Sequence, residues 1–222
     1  SSYKIRTPKS ILLSSNTAIA AGSLLYPVII KPNAEGSSKG ISDVSIVKNK
    51  NELCELVKRN FNLYKQDMLA EEYIDGREFT VGILGNGNEA KVFPPMEIIY
   101  KKETQEQYHV YSYNVKQNYK EYIDYKCPAD ITEEQQIEMM KISGKIFNIL
   151  GCLDFARVDF RMSREGRVYF IEINPLPGLA PGYSDYPMLA EFCGVTYTDL
   201  INSILEAALK RLSAIDRGDI AL

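Results

Sequence analysis

Two periods of apolar spacing alternate along the 222 residues. Tyr26-Pro27-Val28-Ile29-Ile30-Lys31-Pro32 is a short apolar run closed by proline, which predicts a buried strand. Val44 to Val47 predicts the strand returning beside it in a hairpin. Residues 51–61 place Leu53, Leu56, Val57 and Phe61 at helical spacing. Runs over 68–74 and 78–84 read as strands joined by a turn at Asp75-Gly76. Gly82-Ile83-Leu84-Gly85-Asn86-Gly87 has the look of a glycine-rich dinucleotide loop. No helical pattern follows it, however, and Asn-Gly is a strong hairpin signal, so a hairpin is expected. Residues 104–126 are polar, Tyr-rich and weakly periodic, which predicts a long, partly ordered loop. Thr132 with Gln135 three residues on predicts a capped helix running to about Leu150. Strands are expected over 153–162 and 167–174 around a turn at 163–166, then a helix over 198–212 and a frayed tail. Residues 1–15 read as an extended lead-in broken by Pro8, and no internal repeat is visible. Antiparallel hairpins among three main helices make an α+β fold.

The strand pair at 153–174 carries the most specific chemistry. If Met162 faces Arg167, then Arg157 lies opposite Glu172 with Asp159 diagonally beside it. Phe155, Arg157 and Asp159 then share a face with Phe170, Glu172 and Asn174. Ala156, Val158, Phe160, Tyr169, Ile171 and Ile173 form the apolar face. A solvated strand face with one Arg–Glu pair would give the same pattern, and such pairs contribute little. The chemical reading is a hard-metal site, because Mg²⁺ takes one or two carboxylates and completes its shell with phosphate and water. Two carboxylates and one amide leave that shell open, and a nucleoside triphosphate would fill it.

A triphosphate needs donors. Lys31 ends a buried strand, and Glu35-Gly36-Ser37-Ser38-Lys39-Gly40 offers backbone N–H groups and two hydroxyls that suit an anion nest. The spacing is not that of a Walker A loop, and an ordinary hairpin connection would look alike. Between these regions, Ala70-Glu71-Glu72-Tyr73-Ile74-Asp75-Gly76-Arg77-Glu78-Phe79 sets acids among apolar strand positions. They either guard a strand edge with charge or serve adenine and ribose.

Composition narrows the classes. With 45% hydrophobic and 25% charged residues the chain is ordinary for a globular protein. A net charge of −3 argues against a general nucleic-acid or anionic-membrane surface. Cys54, Cys127, Cys152 and Cys193 form no Cys-x-x-Cys pair, and His109 is the only histidine. That speaks against a Cys/His zinc site, a disulfide framework and a Ser-His-Asp hydrolase. Apolar runs are too short to span a membrane, and no signal-peptide pattern opens the sequence. A reducing, cytoplasmic setting is expected.

In order and spacing, Y-P-V-I-I-K-P-N-A-E-G-S-S-K-G, E-E-Y-I-D-G-R-E-F-T-V, A-R-V-D-F and F-I-E-I-N-P-L-P-G resemble the ATP-grasp superfamily, and within it the D-alanine–D-alanine ligases. The resemblance covers approximately Ile5 to Leu212. It implies an ATP-grasp fold of two α+β subdomains gripping ATP between antiparallel sheets, divided as 1–78 and 79–213 with a flexible tail at 214–222. It implies phosphate contacts from Lys31, with Glu35, Ser37 and Ser38 in the closing loop, and Lys116 as a weaker second lysine. Glu71 would accept from the adenine amino group, Tyr73 and Ile74 would line the adenine pocket, and Glu78 would bind ribose. Asp159, Glu172 and Asn174 match magnesium ligands (two ions, with Mn²⁺ as a substitute). Arg157 matches the residue that stabilises the reacting oxygens, Gly178 an oxyanion N–H, and Ser184 a contact to the substrate carboxylate.

The implied reaction is C–N bond formation through an acyl phosphate, with amino-acid or peptide substrates and a homodimer formed through an adjoining domain. A nucleotide-sensing module that no longer ligates is the alternative. Two departures stand out. Family members carry a further N-terminal substrate domain, so the chain is expected to be the ATP-grasp portion of a longer ligase, leaving open whether it turns over alone. The stretch after Asn174 is longer and replaces small polar residues with proline, which leaves the substrate amino acids open.

Overall fold

The computed structural model describes residues 3–14, 24–34, 45–101 and 119–216. The chain forms two compact units, one of Thr7–Asp75 with Tyr100–Asp124, the other of Ser1–Arg6, Gly76–Ile99 and Tyr125–Leu222. The passage from one to the other thus falls between Asp75 and Gly76, and residues 100–124 return to the first.

In the smaller unit, β1 (Ser10–Leu13), β2 (Val28–Pro32), β3 (Ile46–Val47) and β4 (Met68–Glu72) form an antiparallel sheet in the order β1-β4-β2-β3. The predicted hairpin is present: Val28 and Ile29 pair with Val47 and Ile46. Helix α1 (Lys50–Tyr64) starts where Asn49 accepts backbone N–H bonds from Asn51 and Glu52 at 3.1 Å each. It ends where Lys65 turns left-handed at φ 55°. Leu53, Leu56 and Val57 pack on Leu13, Val28, Ile30, Met68 and Ala70. The alternate positions Ile29, Lys31, Leu69 and Glu71 are left on the other face.

In the larger unit, β5 (Gly76–Leu84), β6 (Lys91–Val92), β7 (Met96–Tyr100), β8 (Ile123–Lys126), β9 (Phe155–Ser163) and β10 (Val168–Asn174) make one sheet. Its order is β10-β9-β5-β7-β8, with β6 on β5. The Asn86-Gly87 hairpin is present, pairing Ile83 with Val92. The Asp75-Gly76 connection joins strands of two separate sheets, and Gly76 is required there: at φ 150° a Cβ would lie 2.0 Å from the Met162 carbonyl. Helix α2 (Glu133–Ile149) begins in the expected capping box, with both Thr132–Gln135 bonds formed. It covers the face of Phe79, Val81, Ile83, Ala156, Val158 and Phe160.

The opposite face is covered by α3 (Asp185–Phe192) and α4 (Tyr197–Asp216). α3 lies in a stretch that reads from the sequence only as a proline-broken loop. Pro187 is tolerated because it falls in the first turn, where N–H groups have no helical partner. Part of the expected 104–126 loop is also ordered, as a helical turn at Tyr119–Tyr122 leading into β8. α4 runs past the expected end at 212 to Asp216. None of the helices among the described residues is long and apolar enough to cross a membrane.

Candidate functional site

The register of β9 and β10 differs from the even pairing that alternation predicts. Val168 faces Met162 and Phe170 faces Phe160, then the register shifts, so that Glu172 faces Asp159 and Asn174 faces Arg157. Without that shift Glu172 would oppose Val158 and enter the core. The bulge re-aims it to the polar face. Phe170 correspondingly belongs to the apolar side, its ring edge-on to Phe160 at 6.3 Å. Tyr169, assigned to the core by strict alternation, sits opposite Arg161 on the polar side. A uniform period of two cannot register one extra residue.

On the polar face β9, β10 and β5 bring the predicted residues together. Arg157 is only 8% exposed. Its Nε and one terminal nitrogen donate to the two oxygens of Asp159 at 2.9 and 2.8 Å. Its other terminal nitrogen donates to Asp185 Oδ2 at 3.0 Å. Burial works against the Arg157 charge, but the carboxylates of Asp159, Asp185 and Glu172 outweigh it and hold the guanidinium pKa above its ordinary value. Asp159 also accepts from Thr80 Oγ1 at 2.7 Å and from Asn174 Nδ2 at 3.2 Å, and the same amide reaches Glu172 Oε1 at 3.2 Å. One small amide thus touches both carboxylates, and a half-turn of its end presents oxygen in place of nitrogen.

This donor set suits a hard cation that shares its shell with phosphate. Among the described residues no group of three or more His, Cys, Asp or Glu side chains could hold a metal ion. Asn174 and an oxygen-rich ligand would therefore have to supply what Asp159 and Glu172 do not.

The loop after β10 brings Gly178 against Ser184. A Cβ on Gly178 would lie 2.7 Å from Ser184 Oγ. That oxygen accepts the Ala180 N–H at 3.2 Å. Ser184 N–H in turn donates to Ala180 O at 2.9 Å, closing the loop just before α3. Glu78 lies two residues before Thr80 on β5, opposite Arg161, which donates to it at 3.0 Å.

In the smaller unit, Lys31 on β2 and Glu71 on β4 form an ion pair on the face away from the core. Tyr73 is tied down by its N–H to Pro27 O at 3.0 Å, with Ile74 next in the chain. Glu35, Ser37, Ser38 and Lys116 lie outside the described residues.

Three residues of the cluster escape sequence reasoning. Thr80 carries a signal in hindsight, being two positions from Glu78 on one strand face. Asp185 had a weaker one, an acid directly after a serine at a helix start. Tyr125, which donates to Asp185 Oδ1 at 2.8 Å, had none beyond its place in a Tyr-rich stretch.

Comparison with known proteins fits these features. Residues 6–206 match the family model described as D-ala D-ala ligase C-terminus. The D-alanine–D-alanine ligase of Bordetella pertussis is 34% identical over 219 residues, which is 98% of this chain and 66% of that protein. D-alanine–D-alanine ligase B of Clostridium tetani is 40% identical over 84% of this chain and 49% of its own length. The Bacillus anthracis D-alanine–D-alanine ligase solved with ATP matches at a TM-score of 0.71 and 25% identity, over 94% of this chain and 62% of that one. The VanG D-Ala:D-Ser ligase of Enterococcus faecalis matches at 0.72 and 27%, over 91% of this chain and 57% of that one. The chain therefore spans roughly half to two thirds of the proteins it matches. It has their α+β ATP-grasp fold and belongs to the family of D-alanine–D-alanine ligase C-terminal domains.

Proposed function

We propose that this chain is the nucleotide-binding and catalytic portion of an ATP-dependent carboxylate–amine ligase, with D-alanine or a close amino acid as substrate. The meeting of Arg157, Asp159, Glu172 and Asn174 on one face of the β9–β10 pair carries the reading. A substrate carboxylate oxygen attacks the γ-phosphorus of ATP, ADP leaves, and an acyl phosphate remains. An amine nitrogen then attacks the acyl carbon, loses a proton, and phosphate departs as the amide forms. Such chemistry needs positioning and charge rather than a nucleophilic side chain. The buried, doubly braced Arg157 supplies a fixed positive charge for the developing oxyanion. The Gly178 N–H serves the same oxygen, and Ser184 holds a substrate carboxylate.

Lys31, Lys116 and the Glu35-Ser37-Ser38 loop serve the phosphates, Glu71, Tyr73 and Ile74 the adenine, and Glu78 the ribose. Asp159, Glu172 and Asn174 would hold magnesium, as two ions or with manganese in its place, which supplies charge neutralisation at the triphosphate. The reading places the protein in the cytoplasm, with small-molecule partners, no nucleic acid or membrane, and a homodimer as its assembly. The complete cluster favours a ligase over a nucleotide sensor, which has less need of two metal carboxylates beside a clamped arginine.

Mg-ATP should raise the melting temperature, the equivalent of about 2.7 kcal/mol at a hundredfold excess over Kd. Glu172→Ala should abolish the magnesium-dependent part while leaving the ligand-free protein folded. Adding D-alanine should release phosphate from ATP. No thermal shift at millimolar Mg-ATP sinks the binding claim, and phosphate release that no amino acid stimulates sinks the ligase.

A further inference from the structure

Asp185 has no place in the ligand set just described, yet it is more deeply buried than any other carboxylate around it. It is 1% exposed. Its oxygens have named partners on two different strands: Tyr125 Oη at 2.8 Å and an Arg157 terminal nitrogen at 3.0 Å. Its own position is set by α3, whose first residue it is. That helix is seated on the sheet by Tyr186, which donates to Ile83 O at 2.8 Å. Gly82 makes the close approach possible, since a Cβ there would meet Leu189, Phe93 and Tyr186 atoms at 3.0 to 3.1 Å. Gly82 pairs with Arg157 across the strands, so the helix is brought down directly beside the guanidinium.

An arginine fork has two usable edges. Asp159 takes one edge of Arg157 and Asp185 takes the other. The two carboxylates differ in what else is asked of them. Asp159 belongs to the candidate cation site, and oxygens drawn to a cation are weaker acceptors for the guanidinium. Asp185 is buried, tied to Tyr125, and free of that competing duty. The N-terminal end of α3 further favours its negative charge.

Resting on the ligase reading, we infer that Asp185 is a positioning residue. With Tyr125 it keeps the Arg157 guanidinium in one orientation while Asp159 is engaged with the nucleotide and its cation. It touches no substrate itself; its effect passes through Arg157. Removing it should leave nucleotide binding intact and misplace the charge that serves the reacting oxygens. A displacement on the order of an ångström costs about 100-fold in rate.

The experiment compares wild type, Asp185→Asn and Tyr125→Phe in amino-acid-dependent phosphate release from ATP. The Arg157 Nε–H resonance, assigned with Arg157→Lys, is followed alongside. The expected result is a fall in kcat of about 100-fold for Asp185→Asn and about tenfold for Tyr125→Phe. KM for ATP should stay within about twofold, because uniform binding is untouched. The Arg157 signal should broaden in both variants under Mg-ATP. Wild-type kcat in both variants overturns the proposal. So does a loss of kcat that only tracks the unfolded fraction measured by circular dichroism, with a sharp Arg157 signal in the folded remainder. If wild type itself releases no phosphate, the ligase reading fails separately, and the Arg157 signal alone decides: broadening in the variants supports the clamp, and no change overturns it.

Discussion

Two strand faces in this molecule pair a cation with a carboxylate, and they are built differently. In the larger unit Arg157 is shared by Asp159 and Asp185, while Asp159 also accepts from Thr80 and Asn174. In the smaller unit Lys31 reaches Glu71 diagonally across neighbouring strands. A planar fork with donors on two edges can be fixed from both sides, whereas an ammonium on a flexible stem follows whichever acceptor is nearest. The first arrangement is braced on both edges of the guanidinium. On the proposed reading, the second is a pair into which an incoming phosphate exchanges.

Arg157→Met tests the first half of that contrast and should have the largest effect on stability. It strands the 1%-exposed Asp185 and removes two bonds from Asp159. Leaving a buried charge without its partner costs about 3–5 kcal/mol, to be measured by urea unfolding. A cost below about 1 kcal/mol, the range of exposed pairs, would mean that the cluster is not rigidly interlocked.

Asp154 and Arg211 make a third case, a fork held from one edge only, that sharpens the comparison. The guanidinium donates to both Asp154 oxygens, at 3.0 and 2.8 Å, but the two side chains keep 15% and 20% exposure. The Arg211 bond, opposed by burial and helped by Asn86, holds the Asp154 carboxyl below its usual value. A depressed folded pKa stabilises the protein above the unfolded value, near pH 4, and that contribution is lost as pH falls through the folded value. Asp154→Asn is the suitable probe, since residue 154 has φ 65° and asparagine tolerates the left-handed region. It should cost about 1.5–3 kcal/mol near neutral pH. The gap from wild type should be level above about pH 5 and should shrink below about pH 4. A gap that widens on acidification would contradict the depressed carboxyl.

These pairs also show what a sequence reveals. Period and punctuation are local, so the capping box at Thr132, the Asn86-Gly87 hairpin and the helix over 51–61 could be read directly. Arg157, Asp159, Glu172 and Asn174 could be gathered because they lie on two strands joined by a short turn. The bulge could not be seen, because one extra residue leaves composition and spacing unchanged while moving every later side chain to the other face. Thr80 and Asp185 were invisible as members of the cluster because they reach it from 79 and 28 residues away. Only sheet order and helix packing bring them there. The helix carrying Asp185 was further disguised by Pro187 and the prolines before it.

The smallest stability effect is expected at Lys31, and there the contrast between the two faces is most directly put at risk. Lys31→Met replaces the ammonium with an apolar side chain of similar length and leaves Glu71, on the face away from the core, without this partner. The core of the smaller unit lies on the other side of the sheet and is not disturbed. The pair keeps only 17% and 12% exposure, but it is a single contact between two side chains rather than a fork, so the cost should be about 1–1.5 kcal/mol. Ligand binding should respond in the opposite order, because a lysine released from Glu71 is the group proposed to meet phosphate. Loss of one such contact should weaken Mg-ATP by about tenfold, equivalent to about 1.4 kcal/mol, read as a smaller thermal shift at fixed nucleotide. Glu71→Gln should cost as little stability, and because it frees the ammonium it should weaken phosphate-dependent binding less than Lys31→Met does. A cost of 3 kcal/mol or more for Lys31→Met, or unchanged nucleotide affinity, would place Lys31 in the same structural class as Arg157. The exchangeable pair would then have to be given up.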